Sequence, residues 1–126
     1  MSKTGRPVSP HVTIYSFPIA ALTSITNRVT GVALSIGAFS LASVELLNGS
    51  GSAMLLMQDI NAATGPVVGT MAKFSVSFPL IYHYLGGVRH LAWDNFPDML
   101  TNVDVTKASY ALVGGSVVLS AGMALM

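Results

Sequence analysis

The sequence predicts an all-α integral membrane protein, three spanning helices preceded by an irregular N-terminal arm, and three observations carry that prediction. Only 9% of the 126 residues are charged and 52% are apolar, whereas an average soluble domain is about 25% charged. Three long apolar stretches follow one another along the chain. The polar residues gather in the N-terminal segment and in the connections between the stretches. Disorder is excluded, because disordered chains are poor in hydrophobic residues and rich in net charge. A net charge of +1 offers no basic stripe for nucleic acid. The absence of cysteine rules out disulfides, thiolate zinc sites, Cys-ligated iron–sulfur clusters and a Cys nucleophile in this chain.

Residues 1–19 contain Pro7, Pro10 and Pro18, which forbid one long helix. This segment is expected to be an arm on one membrane face, with residues 20–126 forming the membrane domain. It has neither the apolar core and cleavage site of a secretory signal nor the Arg- and Ser-rich helix of a transit peptide. The expectation is that any import signal is absent or already removed. The spans are predicted at about 20–47, 66–91 and 108–126. Roughly 20 helical residues cross a hydrocarbon core of about 30 Å, and each stretch is long enough. All three are apolar all round, as spanning helices are, rather than along one stripe.

Residues 48–65 and 93–107 are read as polar connections. Asn48-Gly49-Ser50 matches a glycosylation acceptor, but Asn-Gly reads first as a turn. Gly65 and Gly69, spaced by four, suit either a helix-packing notch or a cap. Lys3, Arg6 and Arg28 flank one end of the first span, and Arg89 and Lys107 lie at the same membrane face. Lys73 alone lies toward the other. The positive-inside rule then puts the N-terminus on the cytoplasmic or matrix side. Tyr15 and Trp93 suit an aromatic belt at the interface.

An ionisable group inside a span costs roughly 2.5–3.5 kcal/mol even on the lenient insertion scale. Lys73 and Glu45 lie near span ends and can snorkel, as can Arg28 and Arg89. His83 is different, lying about 12 Å inside the basic end of the second span. It either bonds a backbone carbonyl or a serine on a neighbouring helix, or it serves a metal or cofactor. His83 and His90 share a helix face two turns apart, and Gly86 and Gly87 between them carry no side chain. Such a surface admits a second helix or a flat macrocycle. Haem has that shape and takes axial His ligands. His83 and His90 cannot bind one iron from opposite sides, since they project from one face about 10 Å apart. A haem with two axial ligands must therefore be completed by another chain. Ser24 and Arg28, spaced i and i+4 with Ile25 beside them, place a hydroxyl and a guanidinium on one face of the first span. That pair can hold a quinone oxygen or a haem propionate.

Arg6-Pro7-Val8-Ser9-Pro10-His11-Val12-Thr13-Ile14-Tyr15 resembles the R-P-x-S-P-H-x-T-I-Y arm of the large cytochrome b anchor subunits of succinate dehydrogenase, respiratory complex II. Ser24-Ile25-Thr26-Asn27-Arg28-Val29-Thr30-Gly31 is similar to that family's S-I-x-H-R-x-T-G signature. His83 through Arg89-His90-Leu91-Ala92-Trp93-Asp94 looks like its second span, which ends in G-[IV]-R-H-L-x-W-D. The resemblance covers most of residues 6–94. It implies three helices paired with a small cytochrome b anchor subunit, with haem b between the two and with a flavoprotein and an iron–sulfur subunit docked on the matrix or cytoplasmic face. It implies His83 as axial haem ligand, Arg28 and His90 near the propionates, and Ser24, Ile25 and Arg28 along a ubiquinone pocket. Asn27 departs from the family's usual His. The implied location is the mitochondrial inner membrane, or a bacterial inner membrane, and the implied role is electron transfer from succinate to ubiquinone. A haem-free structural anchor of the same kind of complex is the alternative. No residue of this chain needs to be a nucleophile or a general base.

Overall fold

The computed structural model describes Gly5 and residues 7–126. Lys3 and Arg6, used above for orientation and for the N-terminal motif, lie outside the described residues. Between residues 7 and 18 the only regular element is a single 3-10 turn at His11–Thr13, and its residues are exposed. Helix α1 runs Ile19–Asn48. It starts directly after Pro18, whose fixed φ and missing N–H are tolerated at a helix start but not in its interior. It ends where Gly49 enters positive φ (95°) and donates its N–H to the Glu45 carbonyl at 3.0 Å. Gly51 is also left-handed (φ 89°), so Asn48 to Gly51 reverses the chain in a tight turn. The Asn-Gly pair is thus a turn, as its chemistry predicts.

Helix α2 runs Ser52–Asn95 and is two helices meeting at Gly65, whose backbone (φ 76°, ψ 175°) is not helical. Only glycine adopts that geometry without strain, and Pro66 then starts the second half at the predicted boundary. The first half corrects the reading of residues 48–65 as a polar connection. Past the Gly/Ser turn nothing between Ser52 and Thr64 breaks a helix, so the segment is helical. The two nearby glycines serve different ends. Gly65 makes the break, while Gly69 is buried where any Cβ would strike the Asn61 side-chain oxygen.

A short 3-10 turn at Pro97–Met99 leads into helix α3, Asn102–Leu125. This helix begins six residues before the predicted 108. Thr101 caps it, its hydroxyl accepting from the Asp104 N–H at 3.1 Å and donating to the Asp104 carboxylate at 2.6 Å. The polar stretch around Asp104 is therefore a capped helix start rather than a loop.

Helix α2 packs against both α1 and α3, which also touch each other. The interior inverts the pattern of a soluble protein. Thr23, Thr30, Ser109, Ser116 and Ser120 are buried, with Ala53, Tyr82, Leu112 and Ala124 the only buried hydrophobic residues among those described. Rows of Val, Leu, Ile, Phe and Met face outward instead. Lipid gives apolar side chains no reason to turn inward, and small or hydroxylated residues then let helix backbones approach. Helices α1 and α3 are long and apolar enough to cross a membrane.

Glu45 does more than reach for the interface. Its carboxylate accepts the Gly51 N–H at 2.7 Å and the Ala53 N–H at 3.2 Å, capping the start of α2 from the preceding helix. Glu45→Ala is expected to destabilise the chain by about 1 kcal/mol, the typical worth of a cap, read as a lower midpoint of thermal denaturation in detergent. An unchanged midpoint would contradict the capping role.

Candidate functional site

The crossing of α1 and α2 concentrates the polar groups that the sequence singles out. His83 is half-buried, and its Nδ1 lies 2.9 Å from the backbone carbonyl of Asn27. The Thr30 hydroxyl donates to the same carbonyl at 2.9 Å and lies 3.5 Å from Nδ1. The carbonyl acceptor suits the tautomer protonated at Nδ1. Nε2 has no hydrogen-bond partner among the described residues. An imidazole held by its Nδ1–H with Nε2 free is in the form that ligates a metal. Of the alternatives open for His83, the bond to a backbone carbonyl is present at Nδ1, and it leaves Nε2 unengaged among the described residues.

Gly31 makes this seat possible. A Cβ there would lie 2.8 Å from His83 Cε1 and 3.3 Å from Nδ1, so the ring rests on bare α1 backbone. Gly86 does the reciprocal service, since a Cβ there would strike the Asn27 amide oxygen. The two glycines read together as one bare face therefore divide. Gly86 is buried in the helix crossing, and Gly87 is open, with nothing near its missing Cβ. The Asn27 side-chain oxygen is buried without a partner among the described residues.

Ser24, Arg28 and Gly31 fall at i, i+4 and i+7 and so line one edge of α1. Ser24 is half-buried, Ile25 is 57% exposed, and Arg28 is exposed. The edge holding the hydroxyl and guanidinium thus continues into the glycine beneath His83, about 10 Å further along the helix. His90 is exposed and meets Trp93 edge to face at 5.7 Å. It stays apart from the His83 seat, as the spacing predicts.

Arg89 is the residue that sequence reasoning undervalued. It does not snorkel outward but turns into the bundle, where its Nη1 donates to Ser109 Oγ at 3.2 Å and Thr23 Oγ1 at 3.5 Å. Its guanidinium lies 4.6 Å from the centre of the Trp93 ring, a cation–π distance. Tyr82, 1% exposed, donates its hydroxyl to the Thr23 carbonyl at 3.1 Å. A signal existed in the sequence: Tyr82 and Arg89 are seven apart on one face, and each flanking helix carries a hydroxyl near the same end.

Among the described residues no three His, Cys, Asp or Glu side chains converge as a metal site would require. The described side chain that could hold a metal or cofactor is His83, through its unengaged Nε2 beside an open helix surface at Gly87. These residues suit half of a haem site and cannot complete it.

The sequence pattern of the succinate dehydrogenase/fumarate reductase transmembrane subunit family matches residues 2–123. The chain is 37% identical to the mitochondrial succinate dehydrogenase cytochrome b560 subunit of Sus scrofa, over 98% of this chain and 72% of the relative. It is 41% identical to the Homo sapiens cytochrome b560 subunit over 72% of this chain and 54% of that protein. It is 33% identical to the succinate dehydrogenase cytochrome b556 subunit of Paracoccus denitrificans, over 95% of this chain and 90% of that one. The chain thus spans from 54% to 90% of these relatives' lengths.

Replacing Gly31 tests the His83 seat. Gly31→Ala is expected to push the imidazole off the Asn27 carbonyl, read as a changed His83 Nδ1 resonance in side-chain 15N NMR. An unaltered resonance would mean that the ring does not rest on Gly31.

Proposed function

The chain belongs to the succinate dehydrogenase/fumarate reductase transmembrane subunit family, and from that premise we propose that it is the large, haem b-carrying anchor of a succinate dehydrogenase. In this reading residues 1–19 form a matrix-side arm and residues 20–126 the membrane domain. The α2 segment from Pro66 to Leu91 crosses as the third span beside α1 and α3. The membrane is the mitochondrial inner membrane or its bacterial counterpart. The partners are a small cytochrome b anchor subunit, an iron–sulfur subunit and a flavoprotein subunit.

One observation carries the proposal: His83 has one nitrogen tied to the Asn27 carbonyl and the other free. A span that lodges an imidazole with an unused base needs something to complete it, because an ionisable group in a membrane without a partner is costly. His83 would hold haem b from this chain through Nε2, and the small anchor subunit would hold it from its own side. Bound there, the haem provides a one-electron carrier whose potential follows from its axial ligands and burial. Arg28 and His90, both exposed, would serve its propionates.

Ubiquinone is the electron acceptor, bound along the Ser24–Ile25–Arg28 edge and enclosed by the iron–sulfur and small anchor subunits. The Ser24 hydroxyl orients a quinone oxygen by donating a hydrogen bond. The Arg28 guanidinium stabilises negative charge on that oxygen as electrons arrive from the iron–sulfur subunit. Ile25 packs against the apolar part of the ring. Neither Ser24 nor Arg28 has another side-chain partner among the described residues, which leaves both free to meet a ligand. This chain contributes binding and electrostatics, and the oxidation of succinate belongs to the soluble subunits.

Two substitutions test these roles in the assembled complex. His83→Ala is expected to abolish or shift the low-spin haem absorption spectrum. An intact spectrum rejects His83 as ligand, and a wild-type complex with no haem band favours the haem-free anchor. Arg28→Ala is expected to lower quinone reduction by about 10-fold to 1000-fold, the scale of one lost electrostatic contact to developing charge. Succinate oxidation with a soluble acceptor should continue, and unchanged quinone turnover would refute the role of Arg28.

A further inference from the structure

We infer that Arg89 is a positioning residue for the quinone-facing edge of α1, acting through Thr23 from the opposite side of that helix. The inference rests on the quinone reading above and adds to it a residue that touches neither quinone nor haem.

Donor and acceptor accounting at the three-helix junction leads to this role. Thr23 Oγ1 and Ser109 Oγ lie 3.2 Å apart on α1 and α3, and Ser109 is fully buried, Thr23 1% exposed. Each hydroxyl has one proton. Ser109 directs its proton to its own helix, at the Val105 carbonyl 2.7 Å away, and Thr23 has one proton for two acceptors, the Ala20 carbonyl at 3.0 Å and Ser109 Oγ at 3.2 Å. One Thr23 proton cannot serve both acceptors at once, and both hydroxyls are closed off from solvent. A third donor makes up that shortage. Arg89 supplies it from α2, with one nitrogen in reach of both. No acidic side chain pairs with Arg89 among the described residues, and the Trp93 ring face is its nearest counterweight. The guanidinium therefore bridges three helices with neutral partners only.

The clasp falls on the residue preceding the proposed quinone contacts. Thr23 is held twice, through its hydroxyl by Arg89 and through its carbonyl by Tyr82 at 3.1 Å. Ser24 and Ile25 follow directly, and Arg28 stands little more than one turn on. Fixing both the side chain and the backbone of Thr23 fixes the rotation of α1 about its axis at that depth, and with it the direction of Ser24 and Arg28. The His83 seat holds α1 separately, further along at Asn27 and Gly31. Loss of the clasp should thus disturb quinone binding and leave the haem seat in place.

The test uses the assembled membrane complex. Arg89→Met keeps the length and packing of the side chain and removes its donors. It is expected to raise the quinone KM about tenfold, the order of a lost hydrogen bond to a charged group. The kcat with quinone should fall as well, because Arg28 meets charge that develops during reduction, while the haem spectrum and succinate oxidation with a soluble acceptor stay unchanged. Arg89→Lys, which keeps a charged donor, should recover part of that KM. Ser109→Ala changes a helix that contributes nothing to the quinone edge, and it should raise the quinone KM about threefold to fivefold. A wild-type KM in Ser109→Ala overturns the inference, and so does loss of haem in parallel with quinone affinity, which marks a general packing defect. If Arg89→Met fails to assemble, Ser109→Ala decides. Arg28→Ala measured alongside separates the two claims. If it impairs quinone turnover while Ser109→Ala is silent, only the clasp fails, and if it too is silent, the quinone reading fails.

Discussion

Lipid removes the usual reason for a protein to have an inside. Apolar side chains gain nothing by leaving hydrocarbon tails for one another, so this bundle depends on places where backbones come close and hydroxyls find partners. Each helix contact is built that way. Ser116, Ser120 and Ala124 recur every fourth residue on the buried face of α3. Gly31 lets α1 carry the His83 ring, and Gly86 lets α2 carry the Asn27 amide. At the three-helix junction the adhesive is two hydroxyls, a phenol and a guanidinium. The contacts that hold the helices together and those that shape the candidate site are therefore largely the same contacts.

That identity explains what could be read from the sequence and what could not. Long uncharged runs announce spanning helices whatever their neighbours, so α1 and α3 were legible apart from their ends. The break at Gly65-Pro66 was legible too, because both residues punctuate backbone on their own account. The helix Ser52–Thr64 was missed because Gln58, Asp59 and Asn61 lend it the polarity of a loop, though polarity alone does not unwind a helix. The early start of α3 was hidden in the same way, with Asp104 counted as a connection residue when the Thr101–Asp104 pair is a cap.

The candidate site was legible where chemistry is rare and opaque where it is common. A histidine deep in a long apolar stretch stands out on cost alone, and the spacing of Ser24 and Arg28 places them together without coordinates. The Asn27 carbonyl could not be foreseen, since every residue has one. Glu45 and Arg89 were read alike as snorkelling side chains, yet one caps a helix and the other joins three. Their partners are backbone N–H groups and single hydroxyls on other helices, which leave no trace in local spacing.

The grip on His83 comes from main chain, and this has an evolutionary corollary. A carbonyl oxygen survives any exchange of the side chain attached to it, so the orientation of the imidazole is insulated from what occupies position 27. The asparagine found there contributes its carbonyl to the ring and turns its amide elsewhere, toward Gly86. A substitution there can alter the side chain while keeping the hold on the imidazole, and the glycine beneath the ring has no such licence.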